Sequence, residues 1–188
     1  MSEYGTIIAP GAVRFERRLP GPIERVWAYL TESDKRGTWL ATGAVEPRAG
    51  GQVELHFLHS GLSPLPDEIP AKYKSLEKGA GFTARVTRWE PPHLLSHSWP
   101  EPSGGESEVT FELSPQGGDT LLVLTHRRIG TEQMTSVAGG WHTHLGILVD
   151  RMNGRVPQPF FLTHGRLERE YERRIASARP SPNAGDLT

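Results

Sequence analysis

The chain has 188 residues, 36% hydrophobic and 23% charged, which suits one domain with a core of its own. Lysine and arginine number 21 against 22 acidic residues, a formal net charge of −1, so no global field draws nucleic acid or an anionic membrane. The absence of cysteine excludes disulfides, thiolate metal sites and cysteine nucleophiles, and makes the cytoplasm the expected location.

The start "MSEYGTIIAPGAVRFERRL" lacks the basic segment and apolar block of a secretion signal, and no later apolar run is long enough for a bilayer span. "AVRFERRL" (12–19) alternates, with Val13 and Phe15 on one face, and predicts a strand. Pro22 suits the first turn of a helix whose stripe is Ile23, Val26, Trp27 and Leu30. Thr31 or Ser33 would cap a second short helix ending near Trp39. "TGAVEPRAGGQVELHFL" predicts two strands joined by a turn at 48–51, with Val53, Leu55 and Phe57 on one face.

Residues 59–81, rich in proline, glycine and charge, show no period and read as a long loop that could serve as a lid. Three strands follow: Phe82, Ala84 and Val86 share a face in the first, Leu95, His97 and Trp99 in the second, and Val109, Phe111 and Leu113 in the third. "QGGD" signals a hairpin into a last strand over 120–129. The period then changes. Met134, Val137, Trp141, Leu145, Leu148 and Met152 form one stripe of a long helix, ended by Gly154 and Pro157. A final helix runs from about Pro159 to Ala178, and 179–188 is a polar tail expected to fray. Strands followed by helices predict an α+β fold with an antiparallel sheet of six to seven strands, covered by the helix around Trp141.

The pair His142 and His144 invites a metal reading. Two residues apart on a helix they diverge by about 200°, so they cannot share an ion. The expectation is that Trp141 and Leu145 face the sheet while both histidines sit on the flanks. His93 and His97 share strand parity but lie about 13 Å apart, too far for one ion. His97, beside Leu95 and Trp99, fits a hydrogen-bonded core residue more readily than a ligand. His126 falls opposite Val123 and Thr125 and is expected toward solvent or a helix cap. No GxSxG elbow, phosphate-binding GxxxxGK[ST] loop or HExxH helix occurs. The carboxylates of "GESE" and "EREYE" read as solvated surface, with Glu170–Arg174 a favourable pair and Glu168–Glu172 an unfavourable one. No metal site, catalytic set or cofactor is expected.

Taken together, "PGPIERVWAYLTESDKRGTWLATG", "AGGQVELHF", "TRWEPPHLLSHSW", "SEVTFELSPQGGDTLLVLTHRRI" and "GGWHTHLGIL" resemble the bacterial branch of the family named after the activator of the heat-shock protein 90 ATPase. That family lies within the SRPBCC superfamily of START-like and birch-pollen-allergen-like proteins. The likeness covers most of residues 12–152, and "PFFLTHGRLEREYERRI" resembles a C-terminal extension of some bacterial members. It implies a single domain over 1–178, with a core at 12–152, a helical extension at 157–178 and a flexible tail at 179–188. It also implies a helix-grip fold: a curved sheet around a long helix, with a cavity that in relatives holds apolar or amphipathic small molecules.

Strand parity and the helix stripe then nominate Phe57, Phe82, Val86, His97, Trp99, Phe111, Trp141 and Leu145 for the cavity, with Trp27 and Trp39 near its mouth. The same aromatic residues fit a filled core equally well. Three functions are weighed, in this order. The first is binding of a small apolar or amphipathic molecule, lipid-like or aromatic. The second is a cyclase- or hydrolase-type enzyme using His97, for which no inward carboxylate is found. The third is a chaperone partner, homodimer or other interaction module, which an exposed apolar patch at Phe160 and Phe161 would favour. No basic docking surface supports chaperone contact. Nucleic acid and membrane insertion are excluded as partners.

Overall fold

The computed structural model describes residues 3–102 and 104–178, so the tail expected at 179–188 lies outside the described residues. Seven strands form one antiparallel sheet: β1 (Thr6–Ala9), β2 (Ala12–Pro20), β3 (Gln52–Phe57), β4 (Ala80–Glu90), β5 (Leu94–Pro100), β6 (Glu106–Gln116) and β7 (Asp119–Arg127). Their spatial order is β1-β2-β7-β6-β5-β4-β3. Helices α1 (Ile23–Thr31) and α2 (Ser33–Gly37) connect β2 to β3, while α3 (Met134–Met152) and α4 (Phe160–Ala178) follow the sheet. This is the α+β helix-grip arrangement, with the curved sheet gripping α3. No helix among the described residues is long and apolar enough to cross a membrane.

Local chemistry places most elements where the pattern predicts them. Pro22 is the N-cap of α1, whose buried face is Ile23, Val26 and Leu30. Gln116 pairs with Asp119 across the two-residue turn at Gly117 and Gly118, with Gly117 at a φ of 64°. Such a turn needs the left-handed backbone that glycine adopts without steric cost. Two details differ. β1 is an additional edge strand, and the segment before β3 makes only single bridges, Thr42 to His56 and Val45 to Val53. Pro47 and the glycines at 50 and 51 leave that segment too irregular for a continuous ladder.

The larger departure concerns α3, which is covered twice. Its stripe of Met134, Trp141, Leu145, Leu148 and Met152 is buried as expected, but so are Ala138, Gly139, His142, Thr143 and His144. The histidines therefore do not sit on open flanks, because α4 packs along the other side. The approach is close: a Cβ at Gly139 would stand 3.2 Å from the backbone nitrogen of Glu168. Phe160 and Phe161, at 5% and 2% exposure, join this packing and form no surface patch; Leu162, at 68%, is the exposed member of that turn.

The loop 59–81 is tied to α4. The Asp67 carboxylate accepts hydrogen bonds from the Phe161 and Leu162 amides at 2.7 and 3.1 Å. It thereby satisfies two of the donors a helix start leaves open. Ser63 Oγ donates to the Pro157 carbonyl, and Lys72 and the Tyr73 hydroxyl both reach the Glu168 carboxylate. Glu168 is thus a partnered, largely covered residue rather than part of a solvated face, while Glu170 does pair with Arg174 at 2.8 Å.

The two adjacent glycines of α3 make this packing testable. Gly139→Leu must push α4 away and should destabilise the protein by about 1–3 kcal/mol. Gly140→Ala meets nothing within 4 Å and should stabilise it by about 0.5–1 kcal/mol through helix propensity. Urea denaturation of the two variants should therefore shift in opposite directions.

Candidate functional site

Between the sheet, α3, α4 and the 59–81 loop lies a cavity of about 290 Å³. Its floor is Phe57 from β3, Phe82 from β4 and Trp99 from β5; its back wall is Val137, Gly140, Trp141 and His144 of α3. Phe160, Phe161 and His164 of α4 close the far side, and His59, Tyr73 and Leu76 of the loop complete the wall. Ala80 and Gly81, both exposed, mark where it meets solvent.

Of the residues nominated from strand parity and the helix stripe, Phe57, Phe82, Trp99 and Trp141 line this space. The others sit elsewhere. Trp27 packs edge-on against Trp89 with ring centroids 5.1 Å apart, away from the mouth. Trp39 is fully buried, and its indole donates to the Tyr29 carbonyl. Val86, Phe111 and Leu145 are core residues. His97 points inward but is enclosed: its Nδ1–H donates to the Ser98 carbonyl at 2.9 Å, and it borders a separate void near Arg36 of about 10 Å³. That void is too small to hold more than about one water.

His126 is a correction to the expected solvent position. The register sets Val109 opposite His126 and Phe111 opposite Leu124, so His126 shares the buried face and has no exposed surface. Parity alone gives two faces but not which one is inward; the β6 pairing decides it. The Trp141 indole donates to His126 Nδ1 at 2.8 Å. His126 must then carry its proton on Nε2, which donates to Ser107 Oγ at 2.8 Å, and the serine hydroxyl donates to the Trp99 carbonyl at 3.2 Å. This relay fixes one wall tryptophan by its ring and the other by its backbone. It requires neutral His126, and burial holds the pKa of this histidine down to about 3.

Residues after the loop start and on α4 were not nominated from the sequence. His59 follows Phe57 at strand parity, a local signal for the same face. Phe160 and His164 repeat at helical spacing, a signal for one helix face but not for the surface it meets. His59 packs at a tilt against Phe160, with 4.1 Å between centroids, and lies 5.4 Å from His144, which in turn is 4.9 Å from Phe160. His144 Nδ1–H donates to the Trp39 carbonyl at 2.7 Å. His142 points away, to the Tyr171 hydroxyl at 3.0 Å. The two histidines thus diverge, as helix geometry requires. Among the described residues no group of three His, Cys, Asp or Glu side chains is placed to hold a metal ion.

Burial, with the neighbouring cavity histidines, depresses His59 to about 4 and His144 to about 3; burial likewise depresses His97 and His142 to about 4. A buried histidine with a depressed pKa binds fewer protons when folded than when unfolded. Stability is therefore full above the unfolded value of about 6.5 and is lost as pH falls through the interval toward 4 and 3. Denaturant midpoints should stay level from about pH 8 to pH 7 and drop steadily below about pH 6, with more than one proton taken up on unfolding. A midpoint unchanged down to pH 5 would contradict this burial.

Residues 20–153 match the family described as activator of Hsp90 ATPase homolog 1-like protein. The solution NMR structure of the protein encoded by gene BPP1335 of Bordetella parapertussis is 42% identical, with a TM-score of 0.78 over 91% of this chain and 90% of that one. CalU16 from Micromonospora echinospora is 24% identical, with a TM-score of 0.64 over 93% of each chain. EF2215 from Enterococcus faecalis is 18% identical, with a TM-score of 0.66 over 94% of this chain and 92% of that one. The latter two share the fold at low identity. No curated protein matches the chain. The match over residues 20–153 makes this chain a member of the activator of Hsp90 ATPase homolog 1-like family.

Proposed function

We propose that the protein binds a small apolar or amphipathic molecule in the cavity between the sheet, α3 and α4. The observation that carries this reading is the cavity itself: about 290 Å³, walled by Phe57, Phe82, Trp99, Trp141, Phe160 and Phe161. That volume is at the lower end of small-molecule pockets, about 300–1,000 Å³. An apolar occupant gains from leaving water, and the ring edges and faces around it favour flat partners.

Among the described residues, no carboxylate, lysine or arginine lines the wall. Ser136 borders the cavity, but His164 Nε2 contacts its carbonyl at 3.3 Å rather than its hydroxyl, so the pair is not arranged as nucleophile and base. Binding is the reading these groups support.

Gly140 faces this space, and a side chain there meets no protein atom within 4 Å. Gly140→Leu should fill the cavity and weaken binding of an uncharged apolar probe such as N-phenyl-1-naphthylamine at least tenfold, with the fold kept. Gly146→Leu, on the same helix and equally free of clash, should bind like the parent. Equal binding by both variants would place the probe elsewhere.

A further inference from the structure

We infer that the occupant is an uncharged aromatic molecule bearing a hydroxyl group, seated with that hydroxyl donating to Nε2 of His144. The inference rests on the proposed binding role and specifies its ligand class. It starts from the tautomer of His144. Its Nδ1 donates to the Trp39 carbonyl at 2.7 Å, so Nε2 carries a lone pair. No hydrogen bond from the described residues reaches that nitrogen, while the ring itself lines the cavity.

The other polar groups lean the same way. His164 Nε2–H points to the Ser136 carbonyl at 3.3 Å, which leaves Nδ1 as a lone pair, and that atom is buried without a partner. The Tyr73 hydroxyl is committed to the Glu168 carboxylate. His59, whose Nδ1 is buried and unpartnered, adds one donor and one acceptor when neutral. Ser136 adds a hydroxyl that can turn either way. Acceptors therefore exceed donors, and a pure hydrocarbon would leave a desolvated acceptor unpaired.

Charge narrows the class further. Among the described residues no lysine or arginine lines the wall, and burial keeps His59 and His144 neutral at ordinary pH. A carboxylate or phosphate occupant would be buried with no counter-charge, which is costly. An ammonium occupant would find no carboxylate in the lining. His144 sits among the rings of Phe57, Trp141 and Phe160, with centroids 6.3, 6.4 and 4.9 Å away. A donor reaching Nε2 through that surround is best carried on a flat ring.

Three probes of similar shape test the inference on the unaltered protein by equilibrium dialysis at about pH 7: 2-naphthol, 2-methylnaphthalene and 2-naphthoate. The naphthol should bind about tenfold tighter than the methyl compound, and the naphthoate more weakly than both. In His144→Phe the naphthol advantage should vanish while 2-methylnaphthalene still binds. Equal binding of naphthol and methylnaphthalene to the unaltered protein, or tightest binding of naphthoate, overturns the ligand class and leaves the cavity reading standing. Failure of all three probes to bind overturns both.

Discussion

Helix α3 has no solvent-facing side through its middle: from Trp141 to Leu145 every residue is buried, with the sheet on one side and α4 on the other. Five successive residues go right round a helix, so polar side chains among them cannot escape to water. Each must find a partner inside. Thr143 Oγ1 bonds back to the Gly139 carbonyl, His142 reaches the Tyr171 hydroxyl, and His144 reaches the Trp39 carbonyl. The Trp141 indole donates to His126 of β7, whose other ring nitrogen donates in turn to Ser107 of β6. Burial is the largest cause of the depressed pKa of six histidines, and for His142, His144 and His164 that burial comes from the packing of α3 and α4.

The same constraint produces the cavity. α4 does not close flat on the sheet edge. It meets α3 at Gly139, where the missing side chain lets the two backbones approach, and its first turn is drawn to the loop by Asp67. Phe160, Phe161 and His164 are thus held facing Phe57, Phe82 and Trp99 across a gap that α3 does not fill, because the next residue, Gly140, also has no side chain. Two neighbouring glycines do opposite work: one brings the helices together, the other leaves space.

Periodic features were legible in the sequence. The stripe from Met134 to Met152, the alternation in β2, β5 and β6 and the Gly117–Gly118 hairpin all follow from local spacing, and the family resemblance joined them into the right fold. Strand parity reaches three of the aromatic wall residues, Phe57, Phe82 and Trp99, and the helix stripe reaches a fourth, Trp141. What parity could not supply was pairing between distant segments. His126 was misplaced because its inward direction depends on its register with Val109. The exposed patch at Phe160 and Phe161 that would favour an interaction module does not form, because both residues are buried; nothing in the amphipathic pattern of α4 says which surface it will meet. Trp27 and Trp39, expected near the mouth, are held elsewhere by contacts with Trp89 and the Tyr29 carbonyl. His59, in a loop without period, joins the wall through the stapling of that loop to α4.

Occupancy of the space between sheet, α3 and α4, proposed above, can be observed atom by atom. Intermolecular nuclear Overhauser effects between isotope-labelled protein and unlabelled naphthalene test it most directly. A ligand in the cavity should give contacts from naphthalene protons to the indoles of Trp99 and Trp141 and the ring of Phe160, which enclose it. Contacts confined to the exposed Leu58, Leu65, Val156 and Leu162, with none to those three rings, would contradict it.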